Sequence, residues 1–177
     1  SLYYILGILM VLNSCGTPVQ TIDHFEVAEE ASLAQDDALS IEKWKQYIAE
    51  QEAQDQEVNP KAYAELGKAY FQLENYELAE SNFELAEQKG YSDEQMYVMM
   101  AQRYRMIDNL SKELSALKFY RDHFSSAKDS SFMRNRLFEA YMESENWEPA
   151  LEAWETMDIQ SQQEQQYLQY YFDLNKE

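Results

Sequence analysis

The chain has 177 residues, enough for one domain of ordinary size with a real core, and Gly (4) and Pro (3) are scarce. Ala, Glu, Leu, Gln and Lys lose little rotamer freedom in a helix, so the composition favours helix over sheet. A formal net charge of −19 would be repelled by a phosphate backbone and by an anionic lipid surface, so nucleic acid is not an expected partner. One cysteine, Cys15, leaves no disulfide framework and no Cys-based metal site within the chain.

The charge is uneven. Residues 103–136 carry eight bases against four acids, a net of +4, and the remainder carries −23. Two readings stay open for that stretch: a solvated charged surface, or a basic patch facing an acidic partner segment.

Leu2 to Leu12 is an unbroken apolar run of eleven residues, Gly7 included. It is too short to cross a ~30 Å hydrocarbon core as a helix but suits the apolar region of a secretory signal. The run ends in Leu12-Asn13-Ser14-Cys15-Gly16. This resembles the bacterial lipoprotein box, in which the peptide is cut before the cysteine and lipid is added to its sulfur and new amino group. The resemblance implies residues 1–14 as signal peptide, Cys15 as the lipid anchor, and residues 15–39 as a polar tether with a weak helix near Phe25 to Ala34. It also implies a bacterial envelope lipoprotein, with Gly16 favouring the outer membrane and its periplasmic face. The chain starts with Ser1, and no basic residue precedes the run; we expect a start that has been clipped. The competing reading is an apolar core element with an ordinary thiol.

From residue 40 the pattern is helical. Ser40 is the expected cap of a helix over 40–58 with Ile41, Trp44, Tyr47 and Ile48 on its apolar side. Asn59 with Pro60 opens the next helix. There Tyr63, Leu66, Gly67 and Tyr70 stand at i, i+3, i+4 and i+7, one stripe. Ala79, Phe83 and Ala86 follow on a second helix that Gly90 closes in the left-handed conformation. The motif Tyr-x₃-Glu-Asn-aromatic-Glu-x-Ala starts at Tyr70 and again at Tyr141.

Residues 59–91 resemble a tetratricopeptide (TPR) repeat, matching the family at Tyr63, Leu66, Gly67, Tyr70, Ala79, Phe83 and Ala86. A second TPR-like repeat spans 92–128, with Tyr97, Met100, Ala101 and Tyr104 after an expected Ser92/Gln95 capping box; Glu113, Leu117 and Tyr120 stand where Ala, Phe and Ala are usual. A third spans 129–158, with Leu137, Phe138, Tyr141, Ala150, Trp154 and Met157. Phe138 replaces a small residue, so wider packing is expected there. Ser161 and Glu164 are expected to open a capping helix over 159–177, with Tyr167, Tyr170, Tyr171 and Leu174 on its covering face. The resemblance implies an all-α TPR solenoid of antiparallel helix pairs, about three repeats plus flanking helices.

No sequence signal for catalysis or metal binding stands out. His24 and His123 share no ligand spacing, and there is no Gly-rich phosphate loop and no Gly-x-Ser-x-Gly elbow. No cofactor and no small-molecule substrate are expected, and the chain is read as a non-enzyme. In the TPR family a peptide lies along the first helices of the repeats. Matching positions here make Lys68, Phe71, Gln72, Gln95, Val98, Gln102, Arg105 and Asn135 the candidate peptide-binding groove. Lys68, Gln102 and Arg105 suit an acidic or backbone-rich segment. Ala64, Lys68 and Met99 stand where the chaperone-binding branch wants its carboxylate clamp, which argues against that branch. The implied function is a membrane-tethered protein–protein scaffold, an adaptor in a bacterial envelope complex. The alternatives are a soluble TPR adaptor without anchor and an accessory ligand-binding subunit.

Overall fold

A computed structural model describes residues 23–124, 130–155, 169–170 and 173–174. Among these residues the secondary structure is all helical. Eight helices follow in chain order: α1 (His24–Leu33), α2 (Asp37–Ala53), α3 (Lys61–Gln72), α4 (Tyr76–Gln88), α5 (Glu94–Met106), α6 (Leu110–Phe124), α7 (Ser130–Glu143) and α8 (Trp147–Glu155). Each packs on the next, and α1 also meets α3, as α3 meets α5. Cys15, Met157 and the Ser161/Glu164 pair lie outside the described residues. Tyr170 and Leu174, expected on a covering face, are exposed rather than buried against the described helices.

The links within α1–α2, α3–α4, α5–α6 and α7–α8 are three residues long, and the helices that each link joins pack on one another. All four have one geometry. The middle residue takes a positive φ: Gln35 (56°), Glu74 (59°), Asp108 (52°) and Glu145 (56°). The next residue donates its N–H to the carbonyl five back, as in Asn75 to Tyr70 (2.9 Å), Asn109 to Tyr104 (2.8 Å) and Asn146 to Tyr141 (2.9 Å). That satisfies carbonyls the helix end would otherwise leave unpaired. The same residue then accepts the first amide of the following helix on its own carbonyl, as Asn75 does from Ala79 (3.0 Å). Gly90 closes α4 with φ 82°.

Two expected caps are displaced. α2 starts at Asp37 and is capped by Asp36, whose carboxylate accepts the Leu39 N–H at 3.1 Å. Ser40 lies inside that helix, buried against Ser32, with Oγ to Oγ at 2.9 Å. Likewise Asp93, not Ser92, caps α5 by accepting the Met96 N–H at 2.9 Å. A carboxylate is the stronger acceptor for orphan amides, and where Asp stands beside Ser it takes the cap. The Asn59 carboxamide does accept the Lys61 N–H at 3.0 Å, and Pro60 has helical torsions. The stretch read as a tether carries α1 from His24. Phe25 meets the edges of Trp44 and Tyr47 at 5.1 and 5.2 Å, and Trp44 donates its indole N–H to Ser32 at 2.8 Å. Those contacts fix α1 to α2.

The core is the expected stripe. Tyr63, Leu66, Gly67, Ala79, Phe83 and Ala86 are buried, as are Tyr97, Met100, Ala101 and Tyr104, then Leu137, Tyr141, Ala150 and Trp154. Gly67 is required by contact: a Cβ there would stand 2.6 Å from the Phe83 ring and 3.2 Å from the Ala79 carbonyl oxygen. Gly67→Ala must shift a helix and is expected to cost about 1–3 kcal/mol. Glu74→Gly is expected to act oppositely. It removes a left-handed L-residue worth about 1–2 kcal/mol and gives part back as chain entropy, for a net gain of roughly 0.5–1 kcal/mol. Urea denaturation of the two variants checks both signs.

Between α5 and α6 three rings form a column. Tyr97 stacks on Phe119 at 4.2 Å, and Phe119 on His123 at 3.9 Å. The Tyr97 hydroxyl donates to Glu87 of α4. Burial first, then that carboxylate, pushes the Tyr97 hydroxyl above its ordinary value of 10.0, and Tyr104 is raised by burial and then by Glu80. A raised tyrosine pKa holds the proton longer in the folded chain. Its contribution is complete below pH 10.0 and is lost as pH rises toward the folded value. Melting temperatures are therefore expected to fall steeply above that pH, and less steeply in Tyr97→Phe; scanning calorimetry across the alkaline range reads the slope.

Candidate functional site

Among the described residues, two hollows walled mainly by polar groups adjoin the first helices of the hairpins. The front hollow, about 370 Å³, is walled by Ser32, Gln35, Asp37, Ser40, Glu65, Lys68, Ala69, Gln72, Gln95 and Met99. It joins the α1–α2 turn to α3 and the first turn of α5. Of the candidate groove residues, Lys68, Gln72 and Gln95 meet here. Gln72 and Gln95 are exposed and carry both donors and acceptors.

Lys68 is not a free cation. It is only 13% exposed and gives its ammonium to Glu65 at 2.9 Å and Asp93 at 2.5 Å. Asp93 is thus shared: one oxygen caps α5, and the other holds Lys68 and accepts the Tyr91 hydroxyl at 3.2 Å. Burial alone would lower the Lys68 ammonium, but the Glu65 and Asp93 charges outweigh it and raise it. The lysine is a bracket between α3 and α5. With Asp37 and Glu65 also in the wall, the hollow holds more carboxylate than ammonium and does not suit an acidic segment. Asp37 is itself raised, by burial and then by Asp36.

The rear hollow, about 430 Å³, is walled by Arg105, Asp108, Leu110, Glu113, Arg136 and Glu143. Glu113 sits on the stripe of α6 where a small apolar residue was expected, and it is 2% exposed. Arg136 of α7, 5% exposed, faces it with two parallel bonds of 2.5 and 2.7 Å. The other guanidinium hydrogens go to Glu139 at 3.1 Å and to Glu143 at 2.8 and 3.1 Å. All five donors of the fork are spent. Arg136 has no donor left for a ligand, and of the candidate residues this hollow holds only the exposed Arg105. Sequence reasoning missed the pair. The available signal was an acid on an apolar stripe, matched by an arginine one helix later.

Phe71 is not part of either hollow. Its ring meets Tyr76 edge-on at 5.2 Å and lines a crevice with Ala79, Phe83, Met100 and Arg103 between α4 and α5. The aromatic ring is better buried between hairpins than wetted in a polar groove. Val98 is partly buried against the core, while Gln102 on α5 and Asn135 on α7 are exposed; none of the three lines these hollows. Among the described residues no three His, Cys, Asp or Glu side chains converge as a metal site, and no helix is long and apolar enough to cross a membrane. Compared with protein-family models, with curated proteins and with solved structures, the chain gives no match.

Arg136→Met is expected to strand Glu113 without a counter-charge and to cost about 3–5 kcal/mol, whereas Glu113→Leu with Arg136→Met should come out near neutral. The Arg136 hydrogen bond holds the Glu143 carboxyl below its ordinary 4.5. A lowered carboxyl pKa stabilises above that value and loses its contribution as pH falls through the folded pKa. Glu143→Gln should therefore flatten the acid side of a pH–stability profile, measured by urea midpoint.

Proposed function

We propose that the chain is a TPR-type helical scaffold that captures an extended segment of a partner protein in the front hollow. The single observation that carries this is the hollow itself, walled by the first helices of successive hairpins and bringing Lys68, Gln72 and Gln95 together. The contacts of α1 with α3 and of α3 with α5 support a solenoid, because first helices stacked on first helices leave a continuous inner face. The recurring three-residue turn at Gln35, Glu74, Asp108 and Glu145 supports the same plan.

The chemistry of the wall selects the segment. Carboxylates exceed cations and Lys68 is spent, so the occupant is an uncharged or basic stretch, bound through its backbone by Gln72 and Gln95. Buried polar groups that lose water must regain their hydrogen bonds, and carboxamides supply both a donor and an acceptor for that exchange. In this proposal Cys15 carries the lipid that holds the scaffold in the bacterial envelope, at the periplasmic face of the outer membrane. The chain then acts as an adaptor without catalysis.

The test uses the full chain in its native membrane, with a photo-crosslinking residue in turn at Gln72, Gln95 and the exposed Gln88 of α4 as control. One partner segment is expected from positions 72 and 95 and not from 88. A synthetic copy of that segment should bind wild type and lose about tenfold in affinity to Gln72→Ala with Gln95→Ala, at unchanged melting temperature. Adducts equal at all three positions, or affinity indifferent to the pair, would remove the groove. The mass of the mature chain reads the lipid on Cys15, and Cys15→Ser should leave the membrane fraction.

A further inference from the structure

Six of the nine large apolar side chains that stand exposed among the described residues gather at one kind of place. Leu33 and Met106 stand two residues before the left-handed residue of a hairpin turn. Leu73 and Ile107 stand one before it, and Leu39 and Leu78 four after it. Leu33 is 84% exposed and Met106 57%. Scattered surface leucines need no explanation, but six at matching positions of three successive turns form a row. The turns of antiparallel hairpins all lie at one end of the stack. The row therefore runs along that end, and its first turn, with Gln35 and Asp37, also borders the front hollow.

Five carboxylates accompany the row (Asp36, Asp37, Glu74, Glu77 and Asp108) against two cations, Arg105 and Lys112. Lys112 is already engaged by Glu80 at 2.5 Å, and Glu77 is met by Arg103 at 3.5 Å, which leaves Glu74 and Asp108 as the carboxylates of the second and third turns that a partner's cations would face. The edge is thus apolar and acidic. α1 touches α3 and α3 touches α5, so successive turns stand about 10 Å apart, the spacing of packed helices. Seven residues of an α-helix rise about 10.5 Å.

We propose that the hairpin-turn edge is a second docking surface, adjoining the front hollow at the α1–α2 turn, for a basic amphipathic helix of a partner protein. Apolar residues at i, i+7 and i+14 of that helix meet the three turns in succession, and lysines or arginines beside them face Glu74 and Asp108. An anionic bilayer is disfavoured by the same carboxylates and by the charge of −19. The proposal does not depend on the front hollow being occupied.

The probe is a labelled synthetic helix of about 18 residues with leucines at heptad spacing and lysines elsewhere, titrated by fluorescence anisotropy into the full chain. A control peptide keeps the composition and scatters the leucines. Saturable binding of the first and not the second is expected. It should weaken about tenfold or more in Leu73→Ser with Ile107→Ser, and weaken with added salt less steeply in Glu74→Gln with Asp108→Asn. Both pairs are exposed, and circular dichroism and melting temperature should match wild type. Equal binding of the two peptides, or binding that survives the serine pair, overturns the proposal. So does self-association in the absence of peptide that the serine pair abolishes, which would make a second copy the occupant. Binding to phosphatidylcholine vesicles that the serine pair abolishes would make it a bilayer and equally overturn it.

Discussion

At each of the four three-residue links one residue adopts a left-handed backbone, and the residue after it both closes one helix and opens the next. Asn75 donates to the Tyr70 carbonyl and accepts from the Ala79 amide; Asn109 and Asn146 do the same for their hairpins. Three residues then suffice to reverse direction, and no slack remains for the two helices to slide. The phase of the second helix is set by the first. Tyr63, Leu66 and Gly67 can face Ala79 and Phe83 only because the link between them has a single geometry. The hairpin is the unit on which core, hollow and edge all depend. That three of the four left-handed positions are held by Glu or Asp, where glycine would be less strained, shows how firmly the surrounding hydrogen bonds determine the backbone there.

Once the hairpins are rigid, the remaining question is how one meets the next, and the chain uses different devices along its length. At the front, α3 and α5 are joined by a polar bracket, Lys68 between Glu65 and Asp93. Further on, α6 and α7 are joined through Glu113 and Arg136, a buried ion pair with every guanidinium donor used. A buried pair of this kind adds little net stability over an apolar one but permits few alternative arrangements, since any shift strands a charge. The pair occupies the stripe position that in the preceding hairpin is filled by Ala79. A carboxylate needs more room than a methyl group. Phe138, partly buried against the core, stands at the position that Gly67 holds in the α3–α4 pair.

The parts legible in the sequence were those with a short period. Tyr63, Leu66, Gly67 and Tyr70 declare one face of one helix, and the burial of the first three, with Tyr70 half-buried, follows from geometry that a reader can count. The capping residues were half legible. Ser40 and Ser92 satisfy the capping pattern, yet Asp36 and Asp93 start their helices at a different residue, capping the Leu39 and Met96 amides instead. The long-range electrostatics were not legible. Nothing in residues 61–72 tells that Lys68 will be neutralised from Asp93, twenty-five positions on. The candidate groove divided on that account. Gln72 and Gln95 face a common hollow, Phe71 turns into the seam between hairpins, and the lysine expected to bind a partner is occupied in holding the wall together.

The division of labour between polar and apolar surface follows from these constraints. Consecutive packed helices bury part of each helix and leave two kinds of surface, the helix faces and the turns between them. The front hollow is furnished with carboxamides and an excess of carboxylate, suited in the proposed reading to backbone and to basic groups but providing little affinity through burial of apolar area. The turn end is furnished with leucine, methionine and isoleucine among carboxylates, where apolar burial supplies affinity and charge supplies orientation. In the proposed reading, a net charge of −19 draws cationic segments toward the chain before contact and the apolar row decides where they settle. Two proposed surfaces of different chemistry on one small domain would then hold two segments near each other, so that the second binds from an effectively concentrated state once the first is engaged.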